Sequence, residues 1–159
     1  MRIIESSEGI LPSLLWRIDE AEQIRGITSS SILVYRADVL RNLNWILNSV
    51  AFAEGSSIYM FEHAADSVLN YGLPPTSGRI GSSMEVSVFV EKLRDVIVRF
   101  EPRIIPDTLD VASSGESDGE NMSAIGFVIS GSIWCEPIPE RFSLDTRIDP
   151  ELGGWEFNA

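Results

Sequence analysis

Apolar residues recur at helical spacing through the first two thirds of the chain and at alternate positions thereafter. Within residues 33 to 50, Val39, Leu40, Leu43, Ile46, Leu47 and Val50 recur every three or four positions, which predicts an amphipathic helix. Arg36, Asp38, Arg41, Asn44 and Asn48 are assigned mainly to its polar side. A second helix is predicted from Met84 to Phe100, with Val86, Phe89, Val90, Leu93, Val96, Ile97 and Phe100 on one side. It must stop before Pro102, which disfavours the helical region at Glu101. Between the helices, residues 60 to 69 have room for a turn or two of helix. Asn70-Tyr71-Gly72-Leu73-Pro74-Pro75 then reads as a turn, since Gly72 can adopt a positive φ and the prolines forbid helix.

After Pro102 the period falls to two. Ile105, Leu109 and Val111 alternate, as do Ile125, Phe127 and Ile129, and Phe142, Leu144, Thr146 and Ile148 alternate with polar residues. Three strands are predicted, the first two joined by a mobile polar loop from Ser113 to Asn121. Helices followed by strands, without βαβ alternation, indicate an α+β fold with helices on one face of a small, mainly antiparallel sheet. An exposed edge of this sheet is expected to accept a strand from a partner, with the strand over 141 to 148 taking part; alternation does not identify which edge is free.

Ahead of the first long helix, Ile10, Leu11, Leu14, Leu15, Trp16 and Ile18 form an apolar cluster, followed by Thr28-Ser29-Ser30-Ser31. With Pro12 suited to a first helical turn, Leu14, Leu15 and Ile18 would share one face of a short helix. That face either packs on the chain's own core or docks to a partner. The expected organisation is an N-terminal docking arm and linker over 1–32, one domain over 33–148 and a C-terminal tail over 149–159.

A net charge of −12 and 24 acidic residues argue against nucleic acid as the main partner, because phosphate binding needs lysine and arginine. No apolar run reaches the roughly 18 residues of a membrane span. The first residues lack the basic and apolar regions of a signal peptide, so a cytoplasmic protein is expected. One histidine, His63, and one cysteine, Cys135, are too few for a zinc site of the usual Cys/His type. No calcium-binding, phosphate-binding or dinucleotide motif is present. No metal, cofactor or small-molecule substrate is expected.

Three stretches together resemble the baseplate wedge family of T-even phage, historically labelled an acidic lysozyme, and more closely its type VI secretion members, called TssE. They are Arg41-Asn42-Leu43-Asn44-Trp45-Ile46-Leu47-Asn48, Ser67-Val68-Leu69-Asn70-Tyr71-Gly72-Leu73-Pro74, and Arg99-Phe100-Glu101-Pro102-Arg103-Ile104, in the family's order. The segment Pro12-Ser13-Leu14-Leu15-Trp16-Arg17-Ile18 also looks like the arm found ahead of the domain in type VI members. Asn44, Ser49 and the second of two prolines after Leu73 depart from the family pattern.

The resemblance implies a non-enzymatic wedge subunit of a contractile injection machine, in a baseplate docked at the inner membrane. Its partners would be the helical core bundle of other wedge subunits and the contractile sheath, whose first ring it would template. Glu101, Pro102 and Arg103 would form the core-bundle contact, with both charged side chains on one side of an extended segment and available to a single partner. Leu14, Leu15, Trp16, Arg17 and Ile18 would form the docking arm. Asn70 and Tyr71 are expected to shape their loop rather than touch a partner. A phage tail baseplate is the alternative machine. A muramidase would need two carboxyls across a cleft, for which Glu101 with Asp95 or Asp107 is a forced choice. An unrelated acidic adaptor would remain if the three stretches coincided by chance.

Overall fold

The computed structural model describes residues 13–19, 32–75, 83–116, 124–136, 138–148 and 154–158. Helix α1 spans Leu14–Asp19, α2 Ile32–Leu47, α3 Glu62–Ala65 and α4 Ser83–Phe100. Strands β1 (Asp110–Glu116), β2 (Ile125–Ile133), β3 (Glu140–Ile148) and β4 (Trp155–Asn158) form one antiparallel sheet in sequential order.

The two predicted long helices are present because their apolar stripes have a sheet to cover. From α2, Tyr35, Val39, Leu43, Ile46 and Leu47 are buried; from α4, Phe89, Leu93 and Ile97. Across the core they meet Leu109, Val111, Phe127, Ile129 and Ile133, together with the inward row of β3. That row, Phe142, Leu144, Thr146 and Ile148, is buried as the alternation predicts. The Thr146 hydroxyl donates to the Phe127 carbonyl at 3.2 Å, so this polar group enters the core without losing its hydrogen bond.

Several boundaries differ from expectation. The first strand does not begin at Ile105, because Pro106–Thr108 make a 3₁₀ turn before β1 starts at Asp110. Ser113 to Glu116 continue β1 through an irregular register, and the remainder of the expected polar loop lies outside the described residues. Val50 is not part of α2; it is exposed and bridges Leu73. The stretch 60 to 69, read as a turn or two of helix, holds α3 and overlaps the ends of two 3₁₀ turns, Ser57–Met60 and Val68–Asn70.

The expected tail contains β4, which pairs with β3 from Asp145↔Asn158 to Ile148↔Trp155. Trp155 is buried beside Phe89 and Phe127, with ring centroids 6.1 and 5.6 Å away. Its backbone N–H donates to Asn48 Oδ1 at 3.2 Å, tying β4 to the end of α2. Of the strand expected to take part in strand addition, only residues 140–144 lie beyond the pairing with β4. β3 pairs with β2 along its length and with β4 over 145–148, because the second apolar alternation in Trp155 and Phe157 adds a strand outside it.

Candidate functional site

The junction after α4 is a tight turn sewn to the sheet. Pro102 has no N–H to continue the helix, and the chain reverses so that Ile104 N–H donates to the Glu101 carbonyl at 3.1 Å. Beyond the turn, the Arg103 carbonyl accepts from Trp134 N–H at 2.7 Å and Ile105 N–H donates to the Ser132 carbonyl at 2.9 Å. These bonds fix Arg103 against the end of β2.

Glu101 and Arg103 do lie on one side of the turn, but they face each other. Arg103 donates from Nε to Glu101 Oε1 and from Nη2 to Glu101 Oε2, both at 2.7 Å, in a two-pronged pairing. Its Nη1 donates to Asp38 Oδ2 of α2, also at 2.7 Å. Glu101 is 1% exposed and Asp38 0%, and the Arg103 side chain retains 18% exposure. The expectation that both charges stand free for one partner is thus corrected: Glu101 turns inward because the guanidinium fork satisfies both of its oxygens there. Pro102 remains exposed at the tip.

Asp38 is the residue sequence reasoning missed, having been assigned to the polar side of α2. It lies three residues after Tyr35 and beside Val39, within the buried stripe, and it joins three elements. Besides Arg103, it accepts from Ser13 N–H at 2.6 Å, Ser13 Oγ at 2.8 Å and Arg41 Nη2 at 3.3 Å. The signal available in the sequence was an acid inside an apolar stripe, which calls for a buried cation.

The same contacts hold the arm. Ser13 Oγ accepts from Trp16 N–H at 3.3 Å and so caps α1. The Arg41 guanidinium lies 4.6 Å from the Trp16 ring centre and 4.8 Å from that of Trp45, between two aromatic faces. The helix expected from the arm's spacing forms, but it docks through Ser13 and Trp16. Leu14, Leu15 and Ile18 point outward, the first 67% exposed, and Arg17 is also exposed.

Burial by itself would raise the Asp38 carboxyl, but the Ser13 N–H, the Arg103 guanidinium and the Ser13 hydroxyl outweigh it and hold that carboxyl below its ordinary value. Arg103 is likewise shifted: burial opposes its charge, and the hydrogen bonds and charges of Glu101 and Asp38 more than restore it. A carboxyl depressed on folding contributes stability above its unfolded value near 3.8, and that contribution is lost as pH falls through the lower folded value. The stability difference between wild type and Asp38→Asn is therefore expected to be full at pH 6 and to shrink below pH 4. Urea melts at pH 6 and at pH 3 check it; an unchanged difference contradicts it.

This arrangement suits support of a turn rather than acid–base chemistry. Glu101, the forced acid of a muramidase reading, has both oxygens engaged by Arg103. Among the described residues, no group of three or more histidine, cysteine, aspartate or glutamate side chains could hold a metal ion. Also among the described residues, no helix is long and apolar enough to cross a membrane. Asn70 shapes its loop as expected, accepting from Phe52 N–H and donating to the Ala65 carbonyl. Tyr71 packs edge-on against Phe100, with ring centroids 5.0 Å apart.

A family model described as baseplate wedge protein gp25 matches residues 34–138, about two thirds of the chain. The match contains α2 from residue 34 onward, the Asn70 turn, α4, the Glu101–Arg103 junction, β1 and β2. No curated protein and no solved structure matches the chain.

Proposed function

Since the chain belongs to the baseplate wedge protein gp25 family, and so is a structural baseplate component rather than an enzyme, we propose that it is the wedge subunit of a type VI secretion machine. In this reading it binds the helical core bundle of the wedge and initiates sheath assembly from the cytoplasmic side of the inner membrane. The observation that supports a bundle contact at the junction is a turn fixed from both sides. Glu101, Arg103 and Asp38 lock it from within, and its exposed tip, Pro102, stands beside the open rim of Arg103. A contact surface that is rigid before binding loses little entropy when it docks.

Arg103 and Pro102 are the groups that would touch the bundle, with Glu101 acting through Arg103. Leu14, Leu15 and Ile18, the outward apolar face of α1, would form a second contact, with Trp16 holding the arm down and Arg17 at its border. Type VI is preferred over a phage tail because of the arm's sequence resemblance. For the sheath, strand addition would fall to an outer edge, β1 or β4, or to residues 140–144 of β3 beyond the reach of β4.

Removing the gene is expected to prevent assembly of a fluorescently tagged sheath subunit in cells, and wild type supplied separately should restore it. Normal sheath assembly without the gene would contradict the proposed role in initiation.

A further inference from the structure

Residues 49–73 leave the body of the domain and return to it as a small lobe built inside out. At its neck, Leu73 N–H donates to the Ser49 carbonyl at 2.9 Å and Ala51 N–H to the Leu73 carbonyl at 2.8 Å. At its centre is a polar side chain, Asn70, only 6% exposed. Its Oδ1 accepts from Phe52 N–H at 2.9 Å and its Nδ2 donates to the Ala65 carbonyl at 3.0 Å. No residue of the 3₁₀ turn Ser57–Met60 or of α3 is buried. The large apolar side chains are on the outside: Val50, Phe52, Met60, Phe61, Val68 and Leu69 are all exposed, Met60 by 82%. Such a concentration of exposed apolar side chains in one small lobe marks an interaction surface.

The charge pattern says what kind of partner fits. Between Arg41 and Arg79 the sequence contains no lysine or arginine, while Glu54, Glu62 and Asp66 lie within the lobe. Glu54 pairs with Lys92, and Asp66 with Arg99 at 3.2 Å, so that α4 braces the lobe from the body side through exposed pairs. Glu62 lies beside Phe61 on the exposed surface. An anionic bilayer attracts apolar surfaces bordered by basic residues, the opposite of this border. A second copy would bring another acidic lobe on a chain of net charge −12.

We propose that the lobe is a docking surface for an amphipathic helix of another polypeptide, whose apolar face is bordered by lysine or arginine. This site uses other residues than the Glu101–Arg103 junction, and its chemistry does not require the partner to be a core-bundle subunit. The apolar face would cover the Met60 and Phe61 region, and the basic border would meet Glu62 and compete for Glu54 and Asp66.

The test places a photo-activated benzoylphenylalanine at Met60 of the full chain in its own cells, with a second variant carrying it at Val68 and a third at Pro102. Linked peptides are identified by mass spectrometry. Links from Met60 and Val68 to a helical segment with lysine or arginine beside its apolar face are expected, and Glu62→Lys should lower their yield at least about fivefold. Links only to this chain, to a second copy or to lipid would overturn the proposal, as would an acidic target segment or insensitivity to Glu62→Lys. Absence of links at Met60 and Val68 alongside links from Pro102 to wedge subunits would overturn the lobe site and leave the baseplate reading standing. Lobe links of the expected kind without any from Pro102 would support the lobe site alone.

Discussion

Replacement of Arg103 by methionine is expected to lower the unfolding free energy by about 3–5 kcal/mol, the usual cost of removing one partner from a buried ionic network. Two carboxylates, Glu101 at 1% exposure and Asp38 at 0%, would lose the cation between them. Asp38 would keep Ser13 and Arg41, but Glu101 would lose both fork bonds. Arg103→Lys should recover only part of the loss, because a point charge on a flexible stem cannot bond both Glu101 oxygens and Asp38 together. Chemical denaturation of the three proteins measures the series. A methionine variant within about 1 kcal/mol of wild type would show the network to be a weak, solvent-screened pairing instead.

The second large effect belongs to Gly72. Its φ of +104° is one that side chains rarely adopt, and an added Cβ would lie 2.2 Å from the Ser49 carbonyl oxygen. That oxygen accepts from Leu73 N–H, and Leu73 is buried, so neither side can move without opening the neck of the lobe and disturbing the core. Gly72→Ala is expected to cost about 2–4 kcal/mol from backbone strain plus the lost hydrogen bond. Gly55 gives the comparison, since its φ is also positive, at +86°, but a Cβ there meets nothing within 4 Å. Gly55→Ala should cost only about 1 kcal/mol. Thermal melts of both variants separate the close approach at Gly72 from the strain the two positions share; equal losses would show that the Ser49 contact contributes nothing.

Both predictions rest on features of unequal visibility in the sequence. The burying stripes of α2 and α4 and the alternation of β2 and β3 were legible because burial imposes a period on residue type. The requirement for glycine at 72 was legible too, since a glycine followed by Leu73 and two prolines leaves few other readings. The strand β4 was missed because four residues, of which Trp155 and Phe157 alternate, give too short a pattern to distinguish from a tail. Its burial depends on Phe89 and Phe127, which are distant in sequence.

At the site, the sequence marked Glu101, Pro102 and Arg103 and the arm as candidates, but it could not indicate which way the charges turned. Two acceptors on one carboxylate and a fork of donors two residues later are equally suited to a partner or to each other. The choice was decided by Asp38, which presents a third acceptor from α2 and draws Arg103 into the fold. The hint was an acid inside the apolar stripe of α2, and assigning Asp38 to the polar side of the helix passed over it. Docking of α1 through Ser13 and Trp16 follows from the same omission, since Asp38 and Arg41 are the groups that receive them.

The most direct measurement is co-purification with candidate helical wedge subunits from the same genome, comparing wild type with the triple variant Asp38→Leu/Glu101→Leu/Arg103→Met. Apolar side chains of similar size can replace a buried ionic network with little loss of stability, so this variant removes the polar junction, and with it the Asp38 bonds to Ser13, from a chain that still folds. Circular dichroism and a melting curve first establish that it is folded. Retention of wild type by the core subunits, with loss of the folded triple variant, is the expected result. Equal retention of both would contradict a junction contact through Arg103 and restrict the network to holding α1, α2 and the turn together.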